Sequence, residues 1–212
     1  MSLTSEQILT ALKAVQDPDL HRDIVSLGFI KNLTIDGGRV AFQIELTTPA
    51  CPVKELLRDQ ARTAVLAVPG VTDVEVGMTA QVRASAGPRA GGQVLSSIKN
   101  VIPIASGKGG VGKSTVSANL AVALAKSGAR VGLMDADVYG PSIPTILGIT
   151  DVPDVDAQNR ITPVERYGVK VVSMGFFMAP EDAVIWRGPM LHKTVQQFLP
   201  GVLWGPLDYL LI

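Results

Sequence analysis

Residues 107–115 read Gly-Lys-Gly-Gly-Val-Gly-Lys-Ser-Thr, the pattern G-x-x-x-x-G-K-[ST]. The apolar run Val101-Ile102-Pro103-Ile104-Ala105 precedes it, and a helical stretch reaching about Lys126 follows, with Ala118, Ala121 and Ala125 on one side. A strand that passes through glycines into a helix aims successive main-chain N–H groups at one point, and the helix turns its positive end to the same point. That arrangement suits a polyphosphate. Gly107, Gly109, Gly110, Val111 and Gly112 supply the loop, Lys113 is placed to neutralise β- and γ-phosphates, and Ser114 offers its hydroxyl to Mg²⁺. Thr115 bonds toward the α-phosphate. The expectation is a chain that binds and hydrolyses ATP with Mg²⁺. A ligand-free glycine turn explains the small residues of the helix less well.

The surroundings predict the fold. Ala129–Met134 is a second apolar run ending at Asp135-Ala136-Asp137, and strand-like runs recur at 169–174 and 208–212, with a helix expected near 190–199. Such alternation predicts an α/β domain, a parallel sheet flanked by helices, over 98–212. Carboxylates at the carboxyl edge of that sheet border the ligand crevice. Asp137 is therefore the candidate for orienting the attacking water or a Mg²⁺-bound water, with Asp135 supporting the loop. The plainer alternative is two acids that end a strand. The run 207–212 reads as a buried parallel strand with no crossover helix after it, so the sheet is expected to be incomplete at its C-terminal end.

Ahead of this lies a small α+β domain, residues 1–82, joined by a flexible linker over 83–97 that contains RASAGPRAGG. Thr4 and Gln7 fit a capping box for a helix over 4–16, with Ile8, Leu12 and Val15 on one face. Residues 29–35 and 39–47 alternate around Gly37-Gly38 as a hairpin, 53–67 form an amphipathic helix, and 72–78 a last strand.

Nineteen basic residues balance nineteen acidic ones, which removes the electrostatic case for nucleic acid or an anionic membrane surface. No apolar run approaches the roughly 18 residues that span a bilayer, and no secretory signal is read at the start, so the expected compartment is the cytoplasm. Cys51 is the single cysteine, which excludes an internal disulfide. It follows Thr47-Thr48-Pro49-Ala50 and precedes a helix, where the dipole favours thiolate. A metal or cluster ligand and a small buried residue are both open readings for it. His21 and His192 have no companion at metal-ligand spacing. Met174, Phe176, Phe177 and Met178 fit core packing or a partner surface.

Lys108 with Gly109-Gly110 extends the loop to K-G-G-x-x-G-K-[ST], which resembles the MinD/ParA-type ATPases. That likeness implies a nucleotide-sandwich homodimer in which Lys108 crosses to the partner's phosphates, making Lys108, Lys113 and Asp137 the catalytic set. With Asp135 to Pro144 (DADVYGPSIP), Trp186-Arg187-Gly188-Pro189-Met190, Gln196–Leu199 and the segment from Trp204 to Ile212, the chain resembles the Mrp/ApbC family of iron–sulfur cluster carrier ATPases. The N-terminal unit, with Thr47–Pro52, is similar to the small iron–sulfur assembly domain fused ahead of those ATPases. The resemblance implies cluster binding and ATP-dependent transfer to apoprotein clients, Trp186 and Arg187 at the dimer face, and Cys51 as a cluster ligand. It also implies a D-x-P-P-G-T-G-D stretch and a C-x-x-C pair, neither of which occurs in these 212 residues. Two other readings stand beside it: a partition or positioning ATPase, and a non-catalytic adaptor remnant.

Overall fold

The computed structural model describes residues 3–84, 96–137, 140–177 and 198–212. Most of the expected linker lies outside them, as do Met178, Trp186, Arg187, His192 and nearly all of the helix expected at 190–199. The chain divides into two compact units, Met1–Val82 and Arg83–Ile212.

In the first unit, α1 (Ser5–Leu12) opens with the expected box: Gln7 N–H donates to Thr4 Oγ1 at 3.3 Å, and Thr4 N–H to Gln7 Oε1 at 3.0 Å. The helix ends at Leu12, short of the predicted Gln16. Pro18 biases Asp17 toward extended backbone, and Asp17 is buried with Oδ1 accepting from the N–H groups of Asp19 and Leu20, both at 2.9 Å. Gln16–Asp17 (β1) then pairs antiparallel with Arg22–Asp23 (β2). The hairpin follows as β3 (Ile30–Asp36) and β4 (Arg39–Leu46). α2 (Lys54–Leu66) carries the chain over to β5 (Asp73–Ala80), which runs parallel to β4. Leu57, Ala61 and Val65 of α2 and Ile8 and Leu12 of α1 pack with Val40, Phe42, Ile44 and Leu46, the buried alternate residues of β4.

The second unit is a five-stranded sheet in the order β6-β10-β7-β9-β8. Its strands are β6 (Ile98–Ile102), β7 (Val131–Asp135), β8 (Val164–Arg166), β9 (Val169–Ser173) and β10 (Leu207–Leu211). β6, β10, β7 and β9 are mutually parallel, and α3 (Lys113–Lys126) follows β6. α4 (Ile143–Leu147) follows β7.

Two expectations change. β6 begins and ends three residues before the apolar run 101–105: buried Ile98 starts it ahead of the polar Lys99-Asn100, and Pro103 has no N–H to extend it. β8 went unpredicted and pairs antiparallel to β9, so the sheet is mixed. Tyr167 (φ 53°) and Gly168 (φ 76°) make the tight turn between them, both left-handed as a two-residue type I′ turn needs. β10, although last in the chain, occupies the middle of the sheet between β6 and β7.

Alternation divides the sheet's residues between two apolar layers. Val131, Leu133, Val169, Val171 and Leu211 meet Ala118, Ala121, Ile143 and Leu147 of the helices. Met134, Val172, Leu207 and Leu210 meet Phe198, Val202 and Trp204 on the other side. Gly132 permits that second layer to close. A Cβ there would stand 2.7 Å from Leu207 Cδ1 and 3.0 Å from both Leu210 Cδ1 and Trp204 Cζ3. Gly132→Ala is expected to cost about 1–3 kcal/mol through forced side-chain shifts, read as a lower denaturant midpoint with an unchanged slope.

Candidate phosphate-binding site

The glycine loop leaves the sheet where β6 stops. Gly110 (φ 71°) and Gly112 (φ 88°) take left-handed backbone, which a side chain would strain, and Gly112 is the N-cap of α3. No side chain caps that helix, so its first N–H groups face outward without a built-in acceptor. A Cβ on Gly107, Gly109, Gly110 or Gly112 would meet no protein atom within 4 Å. The space above the loop is open.

Lys113 and Ser114, in the first turn of α3, are half-buried and line a cleft of about 420 Å³. Ser106 and Ile212 share that cleft, and Asp135 and Asp137 from the end of β7 line it too. Three of the expected functional residues, Lys113, Ser114 and Asp137, therefore come together at the carboxyl edge of the parallel strands. Lys113 has no ion pair among the described residues. Its backbone carbonyl accepts from Ser117 Oγ at 2.9 Å. The loop residues Gly107 to Val111 and Thr115 stand outside the cleft lining and are exposed. Lys108 among them donates its N–H to Ser106 Oγ at 3.1 Å.

The two aspartates differ in setting. Asp135 is buried; its Oδ1 accepts from the N–H of Asp137 at 3.1 Å, and its Oδ2 from the N–H of Ile143 at 3.2 Å and the hydroxyl of Ser173 at 3.0 Å. Burial pushes its carboxyl above the usual range, while those three donors oppose the shift. Asp137 is exposed, and its Oδ1 accepts the N–H of Gly140 at 3.1 Å. Sequence reading passed over Ser173. Its only signal is a lone hydroxyl at the end of Val-Lys-Val-Val-Ser, and the meaning appears once register sets Ser173 opposite Asp135.

Cys51 lies in the first unit, half-buried against the apolar core that includes Leu57. Its carbonyl accepts from Lys54 N–H at 3.4 Å at the entry to α2. Among the described residues no group of three or more His, Cys, Asp or Glu side chains could hold a metal ion. No helix among them is long and apolar enough to cross a membrane.

A largely parallel sheet whose first strand runs through a glycine loop into a helix, with an acidic strand end facing the helix start, defines the P-loop nucleotide-binding class. Residues 97–212 match the family model for ParA, the NUBPL iron-transfer P-loop NTPase, and the chain belongs to that family. Residues 5–77 match the model for iron-sulfur cluster assembly protein. The chain is 49% identical to the iron-sulfur cluster carrier protein of Synechocystis sp., covering 99% of this chain and 60% of that one. It is 46% identical to the carrier protein of Deinococcus radiodurans over 98% of this chain and 58% of the relative. It is 48% identical to the chloroplastic Fe-S cluster assembly factor HCF101 of Arabidopsis thaliana over 99% and 40%. The chain thus spans at most 60% of the length of these curated relatives.

Proposed function

We propose that this chain acts as an ATP-dependent iron–sulfur cluster carrier, working as a homodimer in the cytoplasm and passing clusters to apoprotein clients. The observation that carries the reading is the cleft in which Lys113 and Ser114 of α3 share a lining with Asp137 of the β7 edge. The relatives' names supply the cargo.

In this reading the main-chain N–H groups of 107–115 hold the phosphate oxygens, and the Lys113 ammonium offsets charge on the β- and γ-phosphates. The Ser114 hydroxyl and, through water, the Asp137 carboxylate are oxygen donors of the kind Mg²⁺ takes. When bound, Mg²⁺ offsets the negative charge that builds on the phosphates. Asp137 Oδ1 accepts the N–H of Gly140, and its carboxylate orients the attacking water. That water bonds to the γ-phosphorus as the bond to the ADP oxygen breaks. Lys108 reaches the phosphates held by the partner subunit, stabilising the same charge from outside. Cys51 contributes one thiolate per chain to the transferred cluster, so two chains supply a pair.

Anaerobic incubation of the complete gene product with iron and sulfide is expected to give a visible cluster absorption band, and ATP is expected to speed transfer of that cluster to an apo-ferredoxin. No band, together with ATP-dependent binding to DNA or liposomes, would instead make the chain a partition or positioning ATPase.

A further inference from the structure

The exit of β9 makes a set of contacts that phosphate binding leaves unused. Ser173 is fully buried, and its hydroxyl donates to Asp135 Oδ2 at 3.0 Å while accepting the N–H of Gly175 at 3.1 Å. Asp135, opposite it in register, holds the N–H of Asp137 with one oxygen and the N–H of Ile143 with the other. One carboxylate therefore ties both ends of the segment that carries Asp137. Gly175 touches the same segment from the side: a Cβ there would stand 3.2 Å from both Cβ and Cγ of Pro141.

The chemistry of the carboxylate explains why a hydroxyl is needed. Asp135 can turn about its terminal torsion, which is a soft, broad well. Oδ2 with two donors is pinned. With only the N–H of Ile143 left, the carboxylate can rotate, and Oδ1 loses its alignment on Asp137. Because Ser173 is fully buried and stands outside the cleft lining, no bulk water stands ready to take the place of its hydroxyl.

We propose that Ser173 is a positioning residue for Asp137, acting through Asp135, and that it sets how strongly Mg²⁺ tightens nucleotide binding. This rests on the nucleotide reading above. Gly175 serves the same end by letting the backbone lie against Pro141.

The test is a titration of the whole chain with a fluorescent ATP analogue, once with Mg²⁺ and once with a chelator. Ser173→Ala is expected to keep its Mg²⁺-free affinity within about twofold of wild type and to lose about tenfold of the Mg²⁺ enhancement, the scale of one hydrogen bond to a buried charge. Gly175→Ala keeps the hydroxyl and displaces Pro141, and the same selective loss is expected; it carries the test if Ser173→Ala does not fold. Equal weakening with and without Mg²⁺ in the folded variants would show a merely structural role and overturn the proposal. So would full Mg²⁺ enhancement in both variants, or a wild type that binds equally well with and without Mg²⁺. Lys113→Ala separates the two levels. If wild type binds no nucleotide, or Lys113→Ala binds as well as wild type, the nucleotide reading falls and this inference with it.

Discussion

Lys113→Ala is expected to weaken ATP binding by about a hundredfold or more while leaving the fold intact. Among the described residues the ammonium is the one positive side chain in the cleft lining, and a charge-assisted bond to phosphate is worth about 1.5–3 kcal/mol. Contacts to two phosphates put the loss near 3 kcal/mol, which is about a hundredfold in affinity. The structural cost is small for identifiable reasons. Lys113 has no ion pair among the described residues, its bond to Ser117 uses the backbone carbonyl, and alanine suits the first turn of α3. Calorimetric titration with MgATP, beside a thermal melt, checks both halves. Unchanged affinity in a folded variant would refute the assignment of Lys113 to the phosphates.

The largest effect on stability is expected at Asp208, at the opposite end of the sheet. Lys99 Nζ donates to its Oδ1 at 2.8 Å and Arg130 Nη2 to the same oxygen at 3.0 Å. Arg130 N–H and Nε donate to Oδ2 at 3.0 and 3.1 Å. Lys99 lies on β6, Arg130 enters β7, and Asp208 is on β10 between them, so one carboxylate joins three adjacent parallel strands. Asp208→Ala leaves a backbone N–H and two cations without their acceptor. Lys99 and Arg130 retain 33% and 50% side-chain exposure, so water recovers part of the loss. About 2–3 kcal/mol is expected, below the full cost of stranding a buried charge.

The pH dependence follows from the same contacts. The Arg130 guanidinium, helped by Lys99, holds the Asp208 carboxyl well below the usual carboxylate range. A depressed folded-state value means stabilisation that is complete above the unfolded value, near 3.9, and drains away as pH falls below it. Between about pH 4 and pH 2, wild type should therefore lose its advantage over Asp208→Asn, measured by urea unfolding at each pH. Asp135 acts in the opposite sense, since burial raises its value and protonation favours the fold. It is present in both proteins and cancels in the comparison. A gap between the two proteins that stays constant through that range would refute the assignment.

Legibility in the sequence varied with how local the cause was. The capping box of α1, the hairpin around Gly37-Gly38 and the helix from Lys113 to Lys126 were readable because neighbours within a few residues determine them. The glycine loop was readable for the same reason. The start of β6 was hidden because Lys99 and Asn100 look like loop residues until Asp208 arrives from 109 and 108 positions away to bond them. β8 was hidden because a three-residue strand is too short to show alternation, although Tyr167-Gly168 marked its turn. Ser173 was hidden because its role exists only across the β7–β9 register. What a residue does for its own segment could be read; what it does for a strand remote in sequence could not.

The central place of β10 has a consequence for how the molecule is made. β6 and β7 are not hydrogen-bonded neighbours; residues 207–211 stand between them and pair with both. A ribosome releases the glycine loop and the acidic turn long before the strand that separates and aligns them. Until that strand emerges, the nascent chain has the two walls of its crevice but nothing to set the gap between them. Closing such distant pairings is slow. Nucleotide capture should therefore wait on the emergence of residues 207–211, well after the glycine loop itself has left the exit tunnel.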